Sequence, residues 1–195
     1  MLKLLFFGLG NPGSEYEKSR HSVGRMALDF LFESKKFGEW KLNKKTKSLE
    51  SVGSLNSKDV LLIKPETFMN KSGQAVTAYG VTAVKKLVVI HDDIDLPLGT
   101  IRFSFGRGSG GHRGLDSIIK SLKTKDFIRL RLGISPATPL GKIKKPSSEK
   151  VTDFVIADFK KNEEIILEKV FKRTTEALTC LAENGLSKTM NIYNK

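Results

Sequence analysis

Apolar positions along this chain switch repeatedly between two rhythms. Residues 2–7 form a short apolar run that stops at Gly8, as a buried strand does. After the loop Gly8-Leu9-Gly10-Asn11-Pro12-Gly13 and a polar stretch to His21, residues Val23, Met26, Ala27, Phe30 and Leu31 recur at helical spacing, with Gly38 as a stop. Residues 49–55 and 59–64 predict a hairpin around Asn56-Ser57. Ala75, Val76 and Tyr79 mark a second helix. Leu87-Val88-Val89-Ile90 is unbroken, which predicts a central strand covered on both faces and ending at His91-Asp92-Asp93.

Further along, Ile101, Phe103 and Phe105 alternate with Arg102 and Ser104, giving a strand with one wet face. Residues 106–114 carry five glycines in nine positions, and Leu115, Ile118, Ile119 and Leu122 then mark another helix. Ile128, Leu130, Leu132 and Ile134 alternate with Arg129 and Arg131 in a further strand. Residues 135–150 place Pro136, Pro139 and Pro146 among lysines and serines, which predicts a mobile basic surface loop. A long helix carries Ile166, Val170, Ala177, Leu178 and Leu181, with Gly185 as its C-terminal stop. No internal repeat is evident. The alternation predicts an α/β fold: one domain over residues 1–195, an open mixed sheet with helices on both faces.

Composition sharpens this picture. The 195 residues are 39% hydrophobic, enough for one core, and 34 Lys and Arg against 21 Asp and Glu leave a net charge of +13. Such a balance invites a polyanion, either nucleic acid or an anionic membrane surface. No apolar run approaches the roughly 20 residues that span a bilayer, and the N-terminal run lacks a leader pattern, so no membrane role is expected. The lone cysteine, Cys180, forms no intrachain disulfide or cysteine-rich zinc site, and a cytoplasmic location is expected.

Sites in open α/β sheets form beyond the carboxyl ends of the strands. Three segments have that placement: residues 11–21, residues 91–95 and the glycine loop ending at His112. The chain's three histidines, His21, His91 and His112, all fall in them. Gly8, Gly10 and Gly13 match a dinucleotide fingerprint only formally, because residues 14–20 lack the helical period that should open on a pyrophosphate. His21 with Asp92, the first acid after the strand, forms a candidate general-base pair: a neutral imidazole takes a proton from water near neutral pH, and a carboxylate steadies the imidazolium that results. Asn70, just before a helix, could bind a substrate amide or water, or cap the helix. Phe68 could stack on a base or sit in the core. No G-x-S-x-G elbow supports a serine nucleophile, and no compact ligand spacing supports a metal.

Several motifs in order, Gly8 to Gly13, Tyr16, Arg20-His21, Lys64-Pro65 with Thr67-Phe68-Met69-Asn70, His91 to Pro97 with Gly99, and Gly110-Gly111-His112 with Gly114-Leu115, resemble the bacterial peptidyl-tRNA hydrolase family over nearly the whole chain. The resemblance implies a monomeric enzyme without a cofactor that cleaves the ester joining a peptide to tRNA. Under it, His21 is the base and Asp92 orients it. Asn11 tells blocked from free aminoacyl groups. Tyr16, Phe68 and Asn70 meet the tRNA end, His112 shapes the cleft, and Arg102 and Arg131 receive phosphates. Two positions depart from the family pattern, which usually has asparagine where this chain has Ser22 and Arg113. Arg113, long and permanently charged, is expected to reach a tRNA phosphate instead. The alternatives are an RNA-binding module on this fold without hydrolysis, and a metal-dependent nuclease.

Overall fold

The computed structural model describes residues 4–138 and 142–195. Strand β1 (Leu4–Gly8) lies at the centre of a sheet, parallel to β4 (Lys58–Pro65) and β5 (Leu87–Pro97), and β7 (Ile128–Ser135) runs parallel beyond β5. On the β4 side, β3 (Ser48–Leu55) and the short β2 (Lys41–Asn43) add antiparallel strands. β6 (Ile101–Phe105) closes the other flank, giving the order β2-β3-β4-β1-β5-β7-β6. The sheet is mixed and its helices cover both faces, as the alternating rhythms predict.

Strand alternation divides the apolar runs between two cores. Phe6, Val88 and Ile90 pack with α1 (Val23–Ser34) and α5 (Lys161–Tyr193); Leu5, Phe7, Leu87 and Val89 pack with α2 (Ser72–Thr77) and α3 (Arg113–Leu122). The α1 side is unusually tight. A Cβ on Gly24 would lie 2.3 Å from the carbonyl oxygen of Ile90, and one on Gly8 would lie 2.5 Å from that of Gly24. These two glycines let the first turn of α1 press against the ends of β1 and β5. That contact carries His21, two residues before the helix starts in earnest, over the end of β5.

The structure departs from the pattern reading at several points. β5 does not end at residues 91–93 but runs to Pro97, with a register break between Asp93 and Pro97. His91 and Asp92 are polar yet buried, because each finds partners inside the fold. Arg129, which alternates with apolar residues along β7, is itself only 2% exposed. Ile166 is 40% exposed, and the buried stripe of α5 runs instead through Leu167, Val170, Phe171, Thr174, Ala177, Leu178 and Leu181. Gly185 does end a helix, as the pattern predicts, but a second one follows it directly. Gly185 takes φ +75°, and the second helix runs to Tyr193. Beyond it, the Asn194 side chain accepts from the Phe103 N–H at 2.7 Å and donates to the Phe103 carbonyl at 3.0 Å.

Of the basic loop expected over residues 135–150, residues 139–141 lie outside the described residues. Around them, Ala137 bridges Ile143, and the Lys144 N–H donates to the Pro136 carbonyl at 2.8 Å. A short helix that the pattern did not reveal, α4 (Val151–Ile156), follows. Among the described residues no helix is long and apolar enough to cross a membrane.

Candidate active site

A cleft of about 1400 Å³ opens where β5, β6 and β7 end beneath the glycine loop and α4. His21, Asp92 and His112 meet in it. His21 sits in a single 3-10 turn, Arg20–Ser22, immediately before α1. Its Nδ1 lies 2.9 Å from Asp92 Oδ1, and His112 Nε2 lies 2.9 Å from that same oxygen. The hydrogen-bond pattern fixes both tautomers. His112 is the N-cap of α3, and its Nδ1 accepts from the Gly114 and Leu115 N–H groups at 3.1 and 3.3 Å, so its proton resides on Nε2 and is donated to Asp92. His21 donates from Nδ1 and keeps the Nε2 lone pair for the cleft.

Electrostatics follow from this arrangement. Asp92 is 3% exposed. Burial alone would raise its pKa, but the charges and hydrogen bonds of His21 and His112 outweigh burial and hold the carboxyl well below the usual carboxylate range. For His21, burial favours the neutral ring, yet the charge and hydrogen bond of Asp92 prevail and raise its pKa above 6.5, while Arg113 pulls the other way. His91 plays a different part from its two counterparts. Burial, with His112 nearby, pushes it down to about 3, so it is neutral, and its Nδ1 lies 2.6 Å from the Asp92 carbonyl oxygen. Its ring meets His112 edge-on at 5.0 Å between centroids. It supports the pair from beneath.

The ligand atoms of His21, Asp92 and His112 all lie within 4.8 Å of one another, a spacing that could hold a metal ion. The protons argue against it. A metal on His112 Nε2 would displace the proton there, and the neutral ring would then carry it on Nδ1, against two backbone N–H donors. The cluster is committed to hydrogen bonding with Asp92.

The remaining candidates are distributed around the cleft. Asn11 Oδ1 accepts from the Met69 N–H at 2.8 Å, which leaves its amide N–H₂ as the group free to donate. Phe68 is 54% exposed on the cleft wall and so is no core residue. Asn70 is exposed on the same wall, and no side chain caps the turn or the helix beside it, so the capping alternative falls away. Arg102 and Arg131 sit directly opposite each other on β6 and β7; Arg131 pairs with Asp93 at 2.6 Å, and Arg102 is exposed. Two like charges in register are costly unless an anion joins them. Arg113 opens α3 on the rim of the cleft, with no ion-pair partner among the described residues. Tyr16 is not brought to this cleft: Gly13, with φ +105°, turns the chain into a separate 3-10 turn whose last residue is Tyr16.

A family model described as peptidyl-tRNA hydrolase matches residues 5–195. The chain belongs to this peptidyl-tRNA hydrolase family. A relative of that name from Pseudothermotoga lettingae is 40% identical over 191 residues, covering 96% of this chain and 94% of the relative, and one from Thermodesulfovibrio yellowstonii is 38% identical over 98% and 99% of the two chains. The crystal structure of peptidyl-tRNA hydrolase from Acinetobacter baumannii superposes with a TM-score of 0.87 at 30% identity, covering 98% of this chain and 94% of that one. A peptidyl-tRNA hydrolase crystallised with N-propanol superposes equally well at 31% identity.

This chain also holds supports around the site. Arg129 donates to the carbonyls of Arg107 and Gly108 and lies 4.8 Å from the Phe127 ring centroid, so a buried guanidinium holds the glycine loop leading to His112. Its only sequence signal was an arginine interrupting an apolar strand. Gly114 lets α3 seat on Met69, since a Cβ there would lie 2.4 Å from the Met69 sulfur. Ser22 is buried and accepts from the Ser19 hydroxyl at 3.2 Å, within the turn that carries His21.

Proposed function

We propose that this chain hydrolyses the ester between a peptide and the 3′ end of tRNA, with His21 as general base. One observation carries the reading: a histidine whose Nδ1 is held by a buried carboxylate, with its Nε2 left for a basic cleft. His21 Nε2 takes a proton from water as that water attacks the ester carbonyl. Asp92 stabilises the imidazolium, while its second donor, His112, keeps the carboxylate oriented. Asn70 and nearby loop N–H groups stabilise the oxyanion. Collapse expels the ribose oxygen, which recovers the proton from His21, so the products are the free acid and the tRNA hydroxyl.

Asn11 supplies discrimination. With its oxygen committed to Met69, it offers the cleft donors only. A peptide carbonyl accepts from them; a free α-ammonium, itself a donor, does not. Arg102, Arg113 and Arg131 receive tRNA phosphates, and the enzyme works as a monomer in the cytoplasm without a cofactor.

The test is incubation of the purified protein with N-blocked aminoacyl-tRNA, with and without EDTA, scoring both ester and RNA. Ester loss with intact RNA, insensitive to EDTA, is expected, and His21→Ala should slow it about 10²–10⁴-fold while tRNA binding persists. Activity of that variant within a few-fold of the parent would remove His21 as the base. Binding with no ester loss would favour the RNA-binding module, and cleaved RNA a nuclease.

A further inference from the structure

The turn that carries His21 has little to hold it in place on its own. It is three residues of 3-10 helix, and the hydroxyl of its N-cap, Ser19, caps no backbone N–H of the turn but within it reaches only the Ser22 hydroxyl at 3.2 Å. Its rigidity comes from Arg20, whose side chain points away from the cleft and into the protein at 4% exposure. The guanidinium donates to the Ala157 carbonyl at 3.1 Å, to the Asp158 carbonyl, and to Glu163 Oε2 at 2.7 Å. It also packs against two rings, 4.8 Å from the Phe154 centroid and 5.1 Å from that of Phe159. Glu163 is itself fixed, because the same Oε2 accepts the Lys160 N–H at 2.7 Å and so caps α5. The backbone repeats the attachment: the Arg20 N–H donates to the Ala157 carbonyl at 3.1 Å, and the Phe159 N–H to the Lys18 carbonyl at 3.2 Å.

Ala157 and Asp158 are the residues that leave α4, and Val151, Val155 and Ile156 of α4 line the cleft. We infer that Arg20, clamped by Glu163, is a positioning residue for hydrolysis, locking the base-bearing turn to the α4 wall of the cleft so that His21 and that wall form one body. The inference rests on His21 being the base. A guanidinium suits the task because its planar fork serves two carbonyls and a carboxylate at once, whereas an ammonium keeps the charge but not the fork. Loosening the clamp leaves the cleft able to bind. It lets His21 drift from Asp92 and from the carbonyl under attack.

Arg20→Lys and Glu163→Gln, assayed as the full chain on N-blocked aminoacyl-tRNA beside His21→Ala, test this. Glu163→Gln keeps an oxygen for Arg20 and for the Lys160 N–H, so it preserves the fold best. Arg20→Lys is expected to lower kcat roughly tenfold to a hundredfold with KM little changed. Its acid limb should move to lower pH as the Asp92 contact that raises the His21 pKa weakens, and Glu163→Gln should show the same two changes to a smaller extent. A folded Arg20→Lys protein with parental kcat and an unmoved acid limb would overturn the inference, whatever its melting temperature. If Arg20→Lys does not fold, Glu163→Gln decides by the same two readouts. Parental activity in His21→Ala would instead defeat the reading on which the inference rests, so the two failures are distinguishable.

Discussion

At Asp92 a single carboxylate oxygen receives two imidazole N–H groups, and this sharing governs the pH behaviour of the site. As the proposed base, His21 would work only when neutral, and its pKa lies above 6.5 because Asp92 outweighs burial. The rate should therefore climb with pH through a point above 6.5 and level off. Asp92→Asn removes the charge that raises the pKa and leaves burial in control, so the acid limb should move to lower pH even as the plateau falls. A pH–rate profile of kcat/KM measures both. An unmoved limb with a lower plateau would mean that His21 does not set the acid limb. Reading residues off the chain picked out these groups because Asp92 follows an apolar run, His112 sits among glycines and His21 closes a polar stretch. It failed for Arg20, whose partner Glu163 is 143 residues away and leaves no local signal.

Elements were legible where their period was long. The helical stripe of α1 and the unbroken run of β5 were visible, whereas β2, at three residues, is too short to show a period, and α4 follows directly on a basic, proline-rich stretch that reads as loop. The apparent end of β5 at His91 was misleading because two imidazoles hold the Asp92 carboxylate, and His91, kept neutral by burial, bonds the Asp92 carbonyl through Nδ1. Gly8 and Gly10 of the first motif let β1 and its loop pack closely on α1, and Gly24 of α1 meets them and β5 in return. Gly24→Ala should demonstrate this, since its new methyl group would meet the Ile90 carbonyl at 2.3 Å. A clash with backbone has nowhere to relax, so a loss of about 3 kcal/mol is expected, or roughly 6–12 °C in Tm for a chain of this size. Activity at temperatures where the variant stays folded should fall as well, because the methyl lifts α1 and with it His21. An unchanged Tm in thermal unfolding would show that the contact is not a constraint.

For the molecule as a whole, a net charge of +13 makes affinity for tRNA depend on salt through released counterions. Arg113, without an ion-pair partner among the described residues, is placed to contribute one such contact on the cleft rim. Arg113→Ala should make log K against log salt shallower by about one unit while the single-turnover chemical step changes little. Since Arg113 also depresses the His21 pKa, its removal should shift the acid limb upward, opposite to Asp92→Asn. An unaltered salt slope would rule out the phosphate contact.

The Asn194 amide, paired with both backbone groups of Phe103, has a consequence at the molecular boundary. β6 is the outermost strand of its flank, and a bare strand there is a template on which a foreign strand can add. One side-chain amide imitates the missing neighbour and occupies the middle of that template. At the opposite flank, β2 is only three residues long. Neither border of the sheet offers an uninterrupted ladder, which guards a crowded solution of this protein against edge-to-edge aggregation.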